Sequence, residues 1–243
     1  MRKLLSNASS NPKTRKLLDE FGYEAVIHHM TPDKLADGKR TVCAWSTAGC
    51  RAMCLNTSGR SQVKGDLTAR NLSMYMIHRS RMAKTLSFLD DRQLYADRLT
   101  QELVLLNSRA LSKCYTPVAR LNGTSDIPWE KYIPMDALPN IEFYDYTKGY
   151  SRIWKFLNGA LPDNYHLTYS YSEETTTAQV WFIINAGGNV AVVFRKDIPD
   201  TFMGHKVISG VEHDFRFRDP KGCIVGLIAR GRAKKDTSGF VVD

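Results

Sequence analysis

Short apolar or alternating segments recur along the second half of the chain, and their β-branched and aromatic residues are typical of strands. One similar segment, Glu24–His29, precedes them. Helical patterns lie between several of them, at Tyr150–Leu157 and at Glu173–Ala186, and Gly187-Gly188 is expected to end the second helix. The other predicted strands are Pro117–Leu121, Ile141–Tyr146, Tyr165–Tyr171, Val190–Phe194 and Ile224–Ala229.

Apolar residues in the first half recur with a period near 3.6, as they do in amphipathic helices. The pattern predicts a short helix at Lys13–Phe21, ended by Gly22, and a long helix at Thr68–Phe88. Another helix is predicted from Asp91 to about Leu111, with Asp90 as the N-cap before it. Strands that alternate with helices indicate parallel pairing, because parallel neighbours need a crossover connection.

The chain of 243 residues therefore predicts a single α/β domain, either a partial βα barrel or an open, mostly parallel sheet of about six strands. Residues 1–40 are interpreted as an N-terminal extension and residues 41–60 as a cysteine-bearing loop. Residues 61–233 form the predicted α/β core, and residues 234–243 are expected to be a tail.

Composition narrows the class of protein. A hydrophobic share of 43% with 24% charged residues is ordinary for a globular chain that can bury a core. No apolar segment is long enough to cross a membrane, and the basic start lacks the apolar centre of a secretory signal, so a cytoplasmic protein without a membrane partner is expected. The net charge of +9 makes nucleic acid a candidate partner, although a merely basic surface explains the charge equally well.

The strongest chemical signal is the spacing C-x6-C-x3-C formed by Cys43, Cys50 and Cys54. Three thiolates in one loop can hold a [4Fe–4S] cluster and leave one iron open for a small-molecule ligand. A zinc site is the second interpretation, although structural zinc needs four protein ligands. Buried free thiols without a metal are the third. Of the two remaining cysteines, Cys223 is a better candidate for a fourth ligand than Cys114.

Polar residues follow several predicted strands, where parallel sheets place their chemistry. Catalytic candidates among them are Asp126, Lys148 and Glu173, and Lys148 is suited to an anionic ligand. The alternative for each is a turn, a helix cap or a solvated charge. Residues predicted to contact a bound cofactor are Asn122, Gly123, Thr124 and Ser170.

A cysteine loop before a long helix, followed by alternating strands and helices, resembles the start of a radical S-adenosylmethionine enzyme, although that family has the spacing C-x3-C-x2-C. Other blocks are CxxxxxxCxxxCLNTSGR at Cys43–Arg60, RLNGTSDIPWE at Arg120–Glu130, FYDYTK at Phe143–Lys148 and DFRFRDPKG at Asp214–Gly222. Through these blocks the chain more closely resembles a family of bacteriophage proteins. This resemblance implies a phage origin, the host cytoplasm and a radical-SAM-like partial barrel, and it assigns no substrate. By analogy with radical-SAM-like folds, Asn122-Gly123-Thr124 would contact the methionine amino group of S-adenosylmethionine.

Two functions of different classes remain open at this point. The first is a redox or radical enzyme whose cluster reduces S-adenosylmethionine or another bound molecule. The second is a nucleic-acid-binding phage protein in which a cluster or zinc only stabilises the loop. In the second case, bases would be contacted by the aromatic residues Trp45, Tyr146, Tyr169 and Tyr171.

Overall fold

A computed structural model describes residues 3–7 and 20–243. Within these residues the chain forms one sheet of ten strands, ordered β1-β2-β3-β4-β5-β6-β9-β8-β7, with β10 beside the end of β6. Every pair from β2 to β8 along this order is parallel, and the β1–β2 and β7–β8 pairs at the two edges are antiparallel. The strands are Leu5–Asn7 (β1), Tyr23–His28 (β2), Thr116–Arg120 (β3), Glu142–Thr147 (β4), Tyr165–Ser170 (β5), Val190–Phe194 (β6), Thr201–Phe202 (β7), His205–Ser209 (β8), Ile224–Ile228 (β9) and Val241–Val242 (β10).

The predicted α/β fold with an open, mostly parallel sheet is confirmed, and all six predicted strands are present. The sheet has ten strands rather than about six, because the sequence pattern did not reveal β1, β7, β8 and β10. Tyr23–His28 lies inside the sheet, so the division at residue 40 does not coincide with its edge. The predicted tail is also part of the sheet, since Val241 and Val242 pair with the end of β6.

The helices are Ala48–Ala52 (α1), Ala69–Leu72 (α2), Met76–Asp90 (α3), Arg92–Leu111 (α4), Tyr150–Leu157 (α5) and Thr177–Asn185 (α6). The single helix predicted at Thr68–Phe88 is divided into α2 and α3. Asp91, rather than Asp90, caps α4, because its Oδ1 accepts the backbone N–H of Leu94 at 3.0 Å.

Two further helix predictions differ from the structure. The helix predicted from Glu173 begins only at Thr177, after Thr176 and Gln179 form a capping box. The helix predicted at Lys13–Phe21 lies outside the described residues except for its last two. Among the residues that the structure describes, no helix has both the length and the apolar character needed to traverse a bilayer.

The strands from β2 to β6 follow one another in chain order, without a reversal. Crossovers of the usual right hand then place all the intervening helices on one face of the sheet. The main core agrees with this arrangement, because it joins strand residues to Leu99 and Leu103 of α4, Ile153 of α5 and Val180 of α6. The other face is covered by a small aromatic cluster around Phe215. The carboxyl ends of the parallel strands are consequently gathered at one edge.

Candidate functional site

A cavity of about 650 Å³ opens at the carboxyl ends of the parallel strands. This is the edge at which α/β sheets bind their ligands. Its walls come from the loops after β2, β3, β4, β5, β8 and β9. The structure therefore brings together most of the residues that the sequence singled out. Lining residues include Cys43, Cys50, Cys54, Arg120, Asn122, Gly123, Thr124, Asp126, Lys148, Ser170, Asp214 and Arg230.

The three cysteines of the loop all lie on this wall as free thiols, partly shielded from solvent. Burial raises the pKa of each thiol, that of Cys54 to about 11, and the charges of Cys50 and Cys54 raise the pKa of Cys43 further. No three His, Cys, Asp or Glu side chains within residues 3–7 and 20–243 converge tightly enough to hold a single metal ion. A cubane cluster binds each thiolate through a different iron, so its ligands stand farther apart. Thiolates are the donors that iron–sulfur clusters use, so the chemistry of the three side chains is compatible with such a cluster.

Glu173 holds the middle of the cysteine loop. Its carboxylate accepts the hydroxyl of Thr47 at 2.9 Å and the backbone N–H of Gly49 at 2.6 Å. Thr47 in turn caps α1, where its Oγ1 accepts the N–H of Cys50 at 3.1 Å. Glu173 is absent from the cavity lining, so the structure gives this catalytic candidate a positioning role instead.

The two ends of the loop are fixed by other parts of the chain. Nη1 of Arg81, on α3, donates to the carbonyl oxygen of Asn56 at 2.8 Å and to its Oδ1 at 2.7 Å. The Sγ of Cys43 accepts the backbone N–H of Asp33 at 3.4 Å. These contacts orient the cysteines toward the cavity from both sides of α1.

The segment Asn122-Gly123-Thr124 lines the cavity as expected, but two of its side chains are occupied internally. The amide of Asn122 donates to Asp145 at 3.0 Å and to the Ile127 carbonyl at 2.9 Å, and Thr124 donates to the carbonyl oxygen of Met30 at 2.5 Å. A Cβ on Gly123 would lie 2.4 Å from a ring nitrogen of His29. The segment therefore shapes the wall, and its polar side chains are not free to bind a cofactor.

Asp126 stands at the base of the cavity. Its carboxylate accepts the backbone N–H of Lys148 at 2.9 Å, the hydroxyl of Thr147 at 3.2 Å and Nη1 of Arg152 at 3.0 Å. Burial raises the pKa of Asp126, and the charge of Arg152 opposes that shift. These three donors tie the end of β4 and the helix α5 to the loop after β3. Asp126 is thus a mostly buried structural carboxylate that borders the cavity.

Lys148 is a partly buried cation beside the cysteines. Its Nζ donates to Oγ of Ser170 at 2.5 Å and lies 4.9 Å from the centre of the Phe240 ring. Burial lowers the pKa of Lys148, while Cys50 and Asp126 are the main charges that oppose the shift. Because no carboxylate forms an ion pair with Nζ among the described residues, its charge is available to thiolates or to an anionic ligand.

The far wall contains a group that sequence reasoning missed. Nη1 of Arg120 pairs with Asp214 at 2.7 Å, and its guanidinium lies 4.8 Å from the centre of the Tyr146 ring. The hydroxyl of Tyr146 donates to the same carboxylate at 3.3 Å. Arg120 ends β3, whereas Asp214 belongs to a loop 94 residues later. The only sequence signal for them is that both lie in blocks that carry the resemblance to phage proteins, Arg120–Glu130 and Asp214–Gly222.

All four sequence blocks that carried the resemblance to phage proteins contribute to this cavity. The gene product 88 family matches residues 3–243, nearly the whole length of the chain. The chain belongs to the gene product 88 family. This confirms the expected phage-type family, whereas the match lends no support to the radical-SAM-like loop. No curated protein and no solved structure matches the chain.

In this gene product 88 chain, the remaining two cysteines lie at the opposite edge of the sheet. Cys114 is exposed between α4 and the start of β3. Cys223 immediately precedes β9, with its Sγ 3.1 Å from the carbonyl oxygen of Pro220. Both therefore precede the strands whose far ends form the cavity. Neither residue lines the cavity, so the structure does not bring Cys223, the better of the two candidates for a fourth ligand, to the other three cysteines.

Proposed function

We propose that this protein binds a [4Fe–4S] cluster through Cys43, Cys50 and Cys54 and acts on a small molecule held in the adjoining cavity. The observation that carries the proposal is the position of these cysteines, which lie together on the wall of a cavity at the carboxyl ends of the parallel strands. Such a cluster would supply one-electron chemistry and one iron with an open position. A redox enzyme with S-adenosylmethionine as the first candidate ligand follows from this arrangement.

Charge around the cysteines supports the proposal. Metal binding requires thiolates, and burial opposes their formation in the free chain. Lys148 brings a positive charge to Cys50 and Cys54, and Arg81 lies close enough to influence Cys54. Cations near a cluster stabilise the extra electron of its reduced form.

The order of the strands supports a radical-SAM-like architecture within the same proposal. Parallel strands in chain order, with helices on one face, are the arrangement from which a partial barrel is built. The cysteine loop follows the first strand of that series, β2. Its spacing differs from the radical SAM pattern, so the identity of the ligand needs its own measurement.

Anaerobic reconstitution with iron and sulfide tests the metal directly. The wild-type protein is expected to become brown and to contain iron and sulfide, and Cys50→Ala is expected to lose both. Cys223→Ala is the matched control, because this thiol lies at the other edge of the sheet. A colourless, iron-free wild-type protein would refute the proposal, and so would zinc in place of iron or a Cys50→Ala variant with unchanged metal content.

The ligand is tested separately by equilibrium dialysis with S-adenosylmethionine. The reconstituted wild-type protein and Cys223→Ala are expected to retain it, whereas Cys50→Ala is expected to bind it much more weakly. Equal binding by all three proteins would show that S-adenosylmethionine does not bind at the cluster.

A further inference from the structure

Two segments beside the cavity contain cations and no carboxylates. Residues 41–65 and residues 224–235 contain neither Asp nor Glu. Together they carry seven Lys or Arg residues, all exposed, which we call the basic rim. The rim consists of Arg51, Arg60, Lys64, Arg230, Arg232, Lys234 and Lys235.

The two segments lie side by side. A Cβ on Gly231 would lie 2.8 Å from the hydroxyl of Ser58, and Nη2 of Arg232 donates to the carbonyl oxygen of Gly65 at 3.4 Å. No ion pair involves any of the seven cations within the part of the chain that the structure describes. The nearby carboxylate of Asp236 is buried and accepts the backbone N–H of Val241 at 2.8 Å. Asp66 follows the first segment as an exposed carboxylate and forms no ion pair with the seven cations within the described residues. The rim is therefore a mainly positive surface.

The rim also borders the cavity. Arg230 lines it, together with Leu55 of the first segment and Ala233 of the second. A volume of about 650 Å³ falls within the range of pockets that hold a nucleotide-sized molecule. Of the aromatic residues expected to contact bases, Tyr169 is buried in the core, whereas Tyr146 lines the cavity. One cation of the rim therefore lies at an opening that has an aromatic ring in its wall.

We propose that the basic rim binds single-stranded nucleic acid and brings an unpaired nucleotide to the mouth of the cavity. Exposed cations contact phosphates without regard to sequence, and only an unpaired base can enter a pocket. An anionic membrane fits less well, because the rim consists of loops, short 3-10 turns and the five-residue helix α1 rather than a long amphipathic helix. The inference names the substrate class of the proposed function and rests on it for the use of the cavity.

Fluorescence anisotropy with a labelled single-stranded RNA and a labelled single-stranded DNA tests the proposal across a range of salt concentrations. We expect the double variant Arg232→Glu/Lys235→Glu to bind whichever strand the wild type prefers with an affinity at least about tenfold lower. The slope of log K against log salt concentration should become less negative by about 1.4. Each phosphate contact to a single strand contributes about 0.7 to this slope, and the variant loses two contacts. Lys155→Glu/Lys221→Glu is the matched control, with the same change in net charge on exposed residues away from the rim.

Equal loss in the rim and control pairs would show an effect of net charge alone and would overturn the proposal. Unchanged binding by the rim pair would overturn it as well. So would a preference for the matching duplex, or for vesicles of phosphatidylcholine and phosphatidylserine. The metal-free wild-type protein is expected to bind the strand as well, so a failure of the metal proposal and a failure of this one are read from different measurements.

Discussion

The anchoring of the cysteine loop by Glu173 can be tested with a single substitution. Glu173→Gln keeps one carbonyl oxygen and replaces the other with an amide donor. The Gly49 N–H is then left with a neutral acceptor, and the Thr47 hydroxyl has to accept from the amide instead of donating to a carboxylate. Both contacts lose the charge that makes such a bond about twice as strong as a neutral one. A hydrogen bond to a charged group contributes about 1.5–3 kcal/mol. We therefore expect the free energy of unfolding to fall by about 2 kcal/mol.

Thermal unfolding measures this loss. For a domain of this size, about 2 kcal/mol corresponds to a decrease in Tm of roughly 4–8 °C. The rate at which Cys50 reacts with a thiol reagent in the metal-free protein gives a local readout, because the loop should open more often when its anchor is weakened. Iron retained after reconstitution should fall in parallel.

Glu174→Gln is the control, because the neighbouring carboxylate is exposed and a surface change of this kind shifts stability by no more than about 0.5 kcal/mol. If Glu173→Gln and Glu174→Gln had the same Tm and the same thiol reactivity, the loop would not depend on this contact. The positioning role of Glu173 would then be refuted.

Two other substitutions test the supporting structure. Gly123→Ala is expected to lower the free energy of unfolding, measured by urea denaturation, by about 1–3 kcal/mol. The added methyl group would lie 2.4 Å from the ring of His29 and 2.7 Å from the carbonyl oxygen of His28. An unchanged urea midpoint would show that the methyl group fits without steric conflict. Burial lowers the pKa of His28 from 6.5 to about 3, so unfolding takes up a proton below pH 6.5 and stability is lost as the pH falls. Near pH 5, His28→Gln should remove a pH dependence of the free energy of unfolding of up to about 1.4 kcal/mol per pH unit. If the free energies of unfolding of the two proteins changed in parallel with pH, His28 would not contribute to this dependence. The difference between the curves isolates His28, because Asp145 and Asp219, whose pKa burial raises, titrate in both proteins.

The strands that the sequence predicted are those whose pattern is local. Five or six alternating or apolar residues, as in Val190–Phe194, are enough to indicate a strand. The edge hairpin of β7 and β8 was missed because β7 has two residues and the turn contains Met203, a residue with no preference for its positive φ of 50°. Val241–Val242 was missed because pairing at the end of β6 depends on tertiary contacts.

The same distinction applies to the site. The cysteines and the residues after β3 and β4 were predicted because each group lies in one short segment. The contact between Arg120 and Asp214 and the contact between Glu173 and the cysteine loop join segments 94 and 124 residues apart. No spacing rule in the sequence relates such positions, because they meet only when parallel strands bring their ends to one edge.

The cysteines are close together in sequence, whereas the residues that hold their loop come from distant segments. This difference determines how folding and metal binding are related. The three cysteines lie within twelve residues, but α1 between them has only five residues, too few to be stable as an isolated helix. Its geometry depends on Glu173 after β5 and on Arg81 of α3, which reach the loop only in the folded sheet. The core beneath them consists of buried strand and helix residues such as Leu103 and Ile183, and Cys43 packs against it as a partly buried residue. A metal at this site would thus be received by a chain that is already folded, unlike a zinc finger, whose fold is formed by its metal.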